Sequence, residues 1–224
     1  MCGRFTLTVP PEAVMAHFGL NAVESAFAPR YNIAPTQPVA VIFEHAPRVL
    51  AVARWGLMPS WGERAGRQTP LINARAETLH ERPTFRRLLH RQRCLIPADG
   101  FYEWRTDAGG HKQPIRFTLQ DGGLFAFAGL WDTWQNAHGQ RVPSCVIITV
   151  PANSLIAPLH DRMPAMLDSE QARRWLSPSC KAPEAQALLK PYPAERMRAY
   201  AVSPRVNQTR FDDPSLIAPY EPPG

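Results

Sequence analysis

Residues 93–105, RCLIPADGFYEWR, decide how we expect this chain to fold. The run starts as an apolar stretch typical of a buried strand, turns at an Asp-Gly pair, and continues as an aromatic segment with Glu103 between Tyr102 and Trp104. Flanking aromatic rings exclude water from a carboxylate, which raises its pKa and suits it to proton transfer. The alternative interpretation is a glutamate on the solvent side of an alternating strand.

Short predicted strands lie on both sides of this run. Each is an apolar or alternating stretch bounded by turn-forming residues. The segments are 31–43 (a loop stiffened by Pro35 and Pro38 that leads into a buried strand), 48–55, 115–119, 124–134, 142–150 and 199–203. The turn at 120–123 predicts that the strands on either side of it pair as a hairpin.

The predicted helices are few and short. A proline pair at 10–11 opens an amphipathic helix that closes at Gly19. The others are an arginine-rich helix that follows 71–78, a helix at about 169–176 capped by Ser169 or Asp168, and one at about 183–190, whereas 21–30 predicts a loop. Short strands alternating with few helices favour an α+β fold with a mainly antiparallel core. We expect one domain over 1–224 that ends in a Pro-rich tail, 208–224.

Composition excludes several classes of protein. At 224 residues, 45% hydrophobic and 20% charged, the chain resembles an ordinary globular domain. It has no apolar run of membrane-spanning length and no visible signal peptide, so we expect no membrane partner and a cytoplasmic location. Its four cysteines are scattered without a metal-ligand spacing, so we expect no disulfide framework, metal or organic cofactor.

The charge is basic, with 25 Lys and Arg against 19 Asp and Glu, a net charge of +6. Most of the basic residues are arginine, which makes forked contacts with phosphate, and five arginines fall between residues 82 and 93. A nucleic-acid partner is one interpretation, and an arginine-rich solvated surface is the other. Charge alone leaves both open.

The N-terminal residues Met1-Cys2-Gly3-Arg4-Phe5 suggest a reactive group. If Met1 is removed, which a small second residue permits, Cys2 carries an amine and a thiol on adjacent carbons. The amine condenses with an aldehyde to an imine, and the thiol closes on it as a five-membered thiazolidine. With pKa values of roughly 7.7–8.0 and about 8.5, both groups are partly available near neutral pH. The alternative is a small residue in a frayed terminus.

Three other segments carry candidate residues. LINARAET (71–78) holds an Asn and an Arg, and LHDRMPAML (159–167) holds His160 and Arg162, which suit an acid–base site. A lone loop histidine is more often solvated. WGLMPSWG (55–62) holds two tryptophans that either anchor the core or stack on bases.

Six blocks, in this order, resemble the SRAP family (SOS response-associated peptidase): MCGRF, RYNIAPTQ, WGLMPSW, INARAET, IPADGFYEW and HDRMPAML. The match extends to about residue 207, where SPRVN resembles the family's final motif. The resemblance implies one compact domain with barrel-like sheets, peripheral short helices and a basic DNA-binding cleft. It also implies a protein of the DNA damage response that binds single-stranded DNA and joins its N-terminal Cys, as a thiazolidine, to the ring-opened aldehyde of an abasic site.

The resemblance also implies roles for individual residues. Cys2 would be the nucleophile, Asn73 would hold the amine or the sugar, Glu103 would transfer protons, and His160 would assist sugar ring opening. Contacts with DNA would come from Arg4, Arg75 and Arg162 to phosphates and from Pro35, Trp61 and Trp104 at the lesion. We expect a monomer, associated with the nucleoid when bound to DNA, with a lyase side activity.

Two other functions fit the same residues. In one, Cys2 is the N-terminal nucleophile of a peptidase, with Glu103 and His160 as acid–base groups. In the other, the protein binds single-stranded DNA without a covalent step and Cys2 is incidental. The three functions differ in the products they predict with abasic DNA and with added peptides.

Overall fold

Two β-sheets form most of the structure, a computed structural model that describes residues 2–25, 27–58, 69–106, 109–135 and 138–221. The strands are β1 (Phe5–Leu7), β2 (Ala22–Val23), β3 (Arg30–Ile33), β4 (Pro38–Phe43), β5 (Val49–Trp55), β6 (Asn73–Arg75), β7 (Arg93–Ala98), β8 (Gly100–Thr106), β9 (Lys112–Leu119), β10 (Phe125–Gln135), β11 (Arg141–Pro151), β12 (Arg162–Pro164), β13 (Met166–Leu167) and β14 (Met197–Ala201). The helices are α1 (Pro11–Phe18), α2 (Pro83–Arg91), α3 (Ser169–Leu176) and α4 (Ala182–Ala187), with 3₁₀ turns at Ala76–Thr78, Ala194–Arg196, Pro204–Asn207 and Pro214–Ile217.

The smaller sheet has five strands in the order β14-β9-β8-β1-β3, and the larger has nine, with the main order β12-β11-β10-β7-β4-β5-β2. An additional parallel pairing between β11 and β5 closes part of the larger sheet on itself, through β10, β7 and β4. Nearly all other neighbours are antiparallel. The expected α+β fold with a mainly antiparallel, barrel-like core is therefore confirmed.

The run 93–105 passes from one sheet to the other. Its first half is β7 in the larger sheet, its second half is β8 in the smaller sheet, and Asp99 stands between them. The Asp99 carboxylate accepts hydrogen bonds from the hydroxyls of Thr6 (2.5 Å) and Thr8 (2.5 Å), the amide of Thr8 (2.6 Å) and the Arg116 guanidinium (3.1 Å). These bonds tie β1 and β9 to the point where the chain changes sheets.

Gly100 is required at this crossing for reasons of space. A Cβ at this position would lie 2.8 Å from Arg116 Nε, so any side chain would displace the guanidinium that pairs with Asp99. Asp99 and Arg116 are each only 5% exposed, so their mutual attraction offsets the free-energy cost of removing both charges from water.

The core lies on both sides of β1 and β8. Phe5 of β1 packs edge-on against Trp55 and Phe127, at ring-centroid distances of 5.3 and 5.5 Å, and anchors the start of the chain in the main core. A second, smaller cluster consists of Tyr102, Val202, Val206 and Leu216. The C-terminal 3₁₀ turns thereby cover the outer side of β8.

Several local predictions are confirmed. The first helix begins at Pro11 and ends before Gly19, whose φ of 66° is left-handed and favours glycine. Asp168, rather than Ser169, caps α3, with its carboxylate accepting from the amides of Glu170 and Gln171. Within the described residues, no helix has the length and apolarity needed to cross a membrane.

Other local predictions are wrong. The expected hairpin across 120–123 does not form, because β9 pairs with β8 and β14 whereas β10 pairs with β7, β11 and β13. The predicted loop at 21–30 contains β2, which pairs with β5, and the first residues of 31–43 form β3, which pairs with β1. In each case a partner distant in sequence supplies the pairing. Trp61 lies outside the described residues.

We predict that Asp99→Asn lowers the free energy of unfolding by about 3–5 kcal/mol, because the Arg116 charge stays buried without its carboxylate. Urea denaturation measures the change. The control is Glu184→Gln, which breaks the exposed pair between Arg174 and Glu184 (3.5 Å) and should cost less than about 1 kcal/mol. Equal losses in the two variants would contradict a special role for Asp99.

Candidate active site

Four segments distant in sequence meet at the start of β1. The register of β1 with β8 pairs Phe5 with Phe101, and the Tyr102 amide donates to the Arg4 carbonyl at 3.0 Å. From β6, Asn73 Nδ2 donates to the Cys2 carbonyl at 3.0 Å. The segment that ends at His160 completes the group. The structure therefore brings together Cys2, Asn73, Glu103 and His160.

Cys2 is fully buried. Burial raises the pKa of its thiol far above the ordinary value, and the nearby Glu103 carboxylate raises it further. The thiolate is the reactive form of cysteine, so a base must take the thiol proton when Cys2 reacts. The hydrogen bond from Asn73 to the Cys2 carbonyl holds the backbone of Cys2 in place. The raised pKa keeps the Cys2 thiol neutral.

Glu103 is 5% exposed, and burial raises its pKa to about 7 against the opposing effect of the N-terminal amine, with a smaller raising contribution from Asp161. A carboxyl group with this pKa both gives and takes protons at neutral pH. The sequence predicts the direction of this shift and its general cause, the exclusion of water from the carboxylate. Of the two flanking rings, Tyr102 is buried in the second cluster, whereas Trp104 packs against that cluster and also lines a cavity with Glu103.

His160 lies 30% exposed at the rim of the site. Burial is the main cause that lowers its pKa, so the neutral ring is favoured. Its Nδ1 atom is 2.9 Å from the Arg162 amide, which donates to it, and 2.8 Å from the exposed Asp161 carboxylate. The neutral ring uses the first contact, and a protonated ring would use the second. His160 can therefore exchange a proton without leaving its place.

A cavity of about 520 Å³ opens beside these groups. It is lined by Arg4, Glu103, Trp104, Thr106, Lys112, Leu159, His160 and Asn207. Cys2 is not part of this lining, and its side chain is fully buried. The cavity thus exposes a carboxyl group and an imidazole to a ligand, but not the thiol.

One wall of the cavity is held by the turn 204–207. Trp104 Nε1 donates to Asn207 Oδ1 at 2.6 Å, and Arg4 Nη1 donates to the Val206 carbonyl at 2.7 Å and to Asn32 Oδ1 at 2.6 Å. The Arg4 guanidinium also lies over the Trp104 ring, 5.8 Å from its centroid. Asn207 therefore orients Trp104, and Asn32 helps to orient Arg4. The sequence analysis predicted roles for Trp104 and Arg4 but not for the two asparagines.

The arginines of the site differ in their partners. Arg4 bonds only to neutral oxygens and has no carboxylate partner within the described residues, so its charge is not neutralised. Arg162 is 8% exposed and forms a forked pair with Glu77 (2.8 and 2.9 Å) and a bond to the Thr149 carbonyl (2.6 Å). Arg75 is exposed on β6. The sequence motifs do not show that Arg4 is unpaired with a carboxylate among the residues described, that Arg162 is buried in an ion pair, or that Arg75 is exposed.

Pro35 does not line this cavity. Pro35 is half-buried in the turn after β3, and Trp61 lies outside the described residues. Lys112, Asn32, Glu77 and Asn207 were not predicted. Asn32, Glu77 and Asn207 lie in the motifs RYNIAPTQ, INARAET and SPRVN, which could have indicated them, whereas Lys112 lies in none. Within the part of the chain that the structure describes, no three His, Cys, Asp or Glu side chains are placed to hold a metal ion.

The chain has relatives along nearly its whole length. A relative named abasic site processing protein YoqW, from Bacillus subtilis, is 42% identical over 221 residues, covering 97% of this chain and 99% of the relative. Another named abasic site processing protein HMCES, from Xenopus tropicalis, is 30% identical, covering 97% and 78%.

Solved structures show the same fold. A protein from Bacteroides thetaiotaomicron superposes with a TM-score of 0.88 at 29% identity, over 98% of this chain and 100% of that one. A protein from Bordetella bronchiseptica gives 0.77 at 32% identity, over 90% and 100%. The family model described as SOS response associated peptidase (SRAP) matches residues 1–209. This chain therefore belongs to the SRAP family.

Proposed function

We propose that this protein processes abasic sites in DNA by a covalent step at Cys2. The observation that carries the proposal is the position of Cys2: it is held by Asn73 and buried next to a carboxyl group with a pKa of about 7. The names of its relatives support the substrate class. A purely non-covalent binder would leave this pairing of thiol and carboxyl without a shared task, whereas a peptidase would use it on a different substrate.

The chemistry begins with removal of Met1, which frees the α-amine of Cys2. This amine adds to the C1 aldehyde of the ring-opened sugar, and loss of one water gives an imine. The thiol sulfur then bonds to the imine carbon, and its proton passes to the imine nitrogen, which closes the thiazolidine. Glu103 protonates the departing hydroxyl, and the resulting carboxylate then relays the thiol proton to the imine nitrogen. His160 assists opening of the sugar ring.

Recognition of the DNA relies on its backbone, because an abasic sugar offers no base to read. Arg4 contributes an uncompensated charge at the cavity, Arg75 is exposed for phosphates, and Trp104 offers a ring for stacking. We propose single-stranded DNA as the substrate, since no base pair must then be opened to present the sugar. Pro35 and Trp61 remain proposed apolar contacts.

Arg162 has a different role in this proposal from the one its motif suggests. Its guanidinium is already paired with Glu77, which leaves little of its charge for a phosphate. Its amide, however, donates to His160 Nδ1. We therefore assign Arg162 to positioning His160, and its contact with phosphate stays a prediction.

The first prediction concerns the product. We expect the protein with Met1 removed to gain, on an abasic single-stranded oligonucleotide, the mass of the DNA minus one water. A protein with a blocked N-terminus should form no adduct, whereas a C-terminal tag should be tolerated. Cys2→Ala, once Met1 is removed, should form only an imine that borohydride traps. Intact mass spectrometry measures each product.

Two results of the same experiment would contradict the covalent proposal. Cleavage of added peptides without an adduct would favour the peptidase, in which Cys2 attacks a peptide bond. Gel retardation of the DNA without any mass change would favour non-covalent binding.

The second prediction concerns Glu103. Its raised pKa means that the carboxylate fraction grows through about pH 7, so the crosslinking rate at saturating DNA should rise through that pH. Glu103→Gln should lose this inflection and slow the reaction by roughly 10²–10⁴. The control is Glu44→Gln, which replaces another carboxyl whose pKa is raised by burial, outside the cavity lining. A wild-type profile in Glu103→Gln would assign Glu103 to structure alone.

The third prediction concerns the cavity wall. Asn207→Ala and Trp104→Phe each remove one end of the same hydrogen bond, so each should weaken binding of single-stranded DNA by about 3- to 10-fold. The double variant should lose less than the product of the two effects. Fluorescence anisotropy measures affinity, and thermal melts confirm folding. Multiplicative losses would show that Asn207 does not position Trp104.

A further inference from the structure

A second cavity, of about 590 Å³, lies between α1 and α3, and its lining shares no residue with the cavity at Glu103. We call it the α1–α3 groove. It is lined by Ala16, His17, Phe18, Gly19, Leu20, Ile42, Pro47, Arg48, Leu95, Ser169, Ala172, Arg173, Leu176, Ser177 and Pro178. The contact between Ser169 Oγ and His17 Nε2, at 3.3 Å, joins the two helices. The abasic-site proposal gives the groove no task.

The floor of the groove is aliphatic and buried. Leu20, Ile42, Leu95 and Leu176 are each less than 9% exposed as residues, yet they border the open cavity. Its volume falls in the range of ligand-binding sites. Such a floor takes up an apolar side chain, and the lining has two aromatic rings, those of His17 and Phe18.

The rim of the groove is basic. Arg48 and Arg173 are exposed, the lining contains no carboxylate, and neither arginine forms an ion pair within the described residues. By contrast Arg174, the next residue on α3, pairs with Glu184 outside the groove. Two carboxylates lie near the groove without lining it: Asp168 is occupied in capping α3, and Asp121 interacts with His17. The groove therefore presents two uncompensated positive charges above an apolar floor.

We propose that the α1–α3 groove binds an acidic peptide segment of a partner protein, anchored by an apolar side chain. Its carboxylates would pair with Arg48 and Arg173, and the anchor would lie on the aliphatic floor. Charge complementarity and the chemistry of the floor carry this inference, which is independent of the abasic-site chemistry. Such a site would recruit the protein to a partner while the cavity at Glu103 stays open.

The test uses the full chain and a fluorescein-labelled peptide rich in aspartate that ends in Leu-Phe. We expect saturable binding by anisotropy, weakened by salt and lost when serines replace the Leu-Phe pair. Arg173→Glu should weaken binding about tenfold or more, because the reversed charge repels the aspartates. Arg174→Glu is the matched control, since it reverses the neighbouring charge off the groove, and should change affinity by less than about threefold.

Both variants should crosslink abasic DNA at the wild-type rate, which separates this inference from the proposed function. Three results would overturn it: no saturable peptide binding, equal loss in Arg173→Glu and Arg174→Glu, or displacement of the peptide by an undamaged oligonucleotide. Decanoate binding as tightly as the peptide would also overturn it, in favour of a small-molecule carboxylate site.

Discussion

The buried ion pair between Asp99 and Arg116 is the interaction on which the arrangement of the site depends. Asp99 stands where the chain leaves the larger sheet for the smaller one, and its carboxylate also holds Thr6 and Thr8 of the β1 region. Because β1 follows directly after Cys2 and Arg4, the same bonds set where these residues meet β8 and Glu103. A buried charge without its partner is strongly destabilising, so the Asp99–Arg116 pair restricts the geometry of the chain where it passes between the two sheets.

Burial acts on Cys2, Glu103 and His160 in the direction that favours the neutral form of each. It raises the pKa of Cys2 and of Glu103 and lowers that of His160. For Glu103 this has a consequence for stability: its contribution is fully present below the unfolded pKa and is lost as pH rises through about 7. Ionisation of Glu103 near neutral pH thus lowers the free energy of unfolding in the pH range where we propose that Glu103 transfers protons.

The arginines of this protein fall into two groups, those paired with a carboxylate and those without such a partner in the part of the chain that the structure describes. Arg116 and Arg162 are neutralised by carboxylates and hold backbone segments in place. Arg4 is held by neutral oxygens and keeps its charge for a ligand, and Arg173 keeps its charge at the α1–α3 groove. Net charge therefore indicates that an anionic partner is plausible, but only the partners of each guanidinium show where it would bind.

The sequence by itself determined the features that depend on neighbours along the chain. Proline and glycine set the ends of α1, Asp168 caps α3, apolar runs mark the buried strands, and the ordered motifs identify the family. Only the tertiary structure decided which strands pair, so β9 and β10 separate into different sheets and the supposed loop contains β2. It also placed Asn207 against Trp104 and Glu77 against Arg162. The physical reason is that strand pairing, burial and charge compensation depend on residues far apart in the chain, and local pattern does not report them.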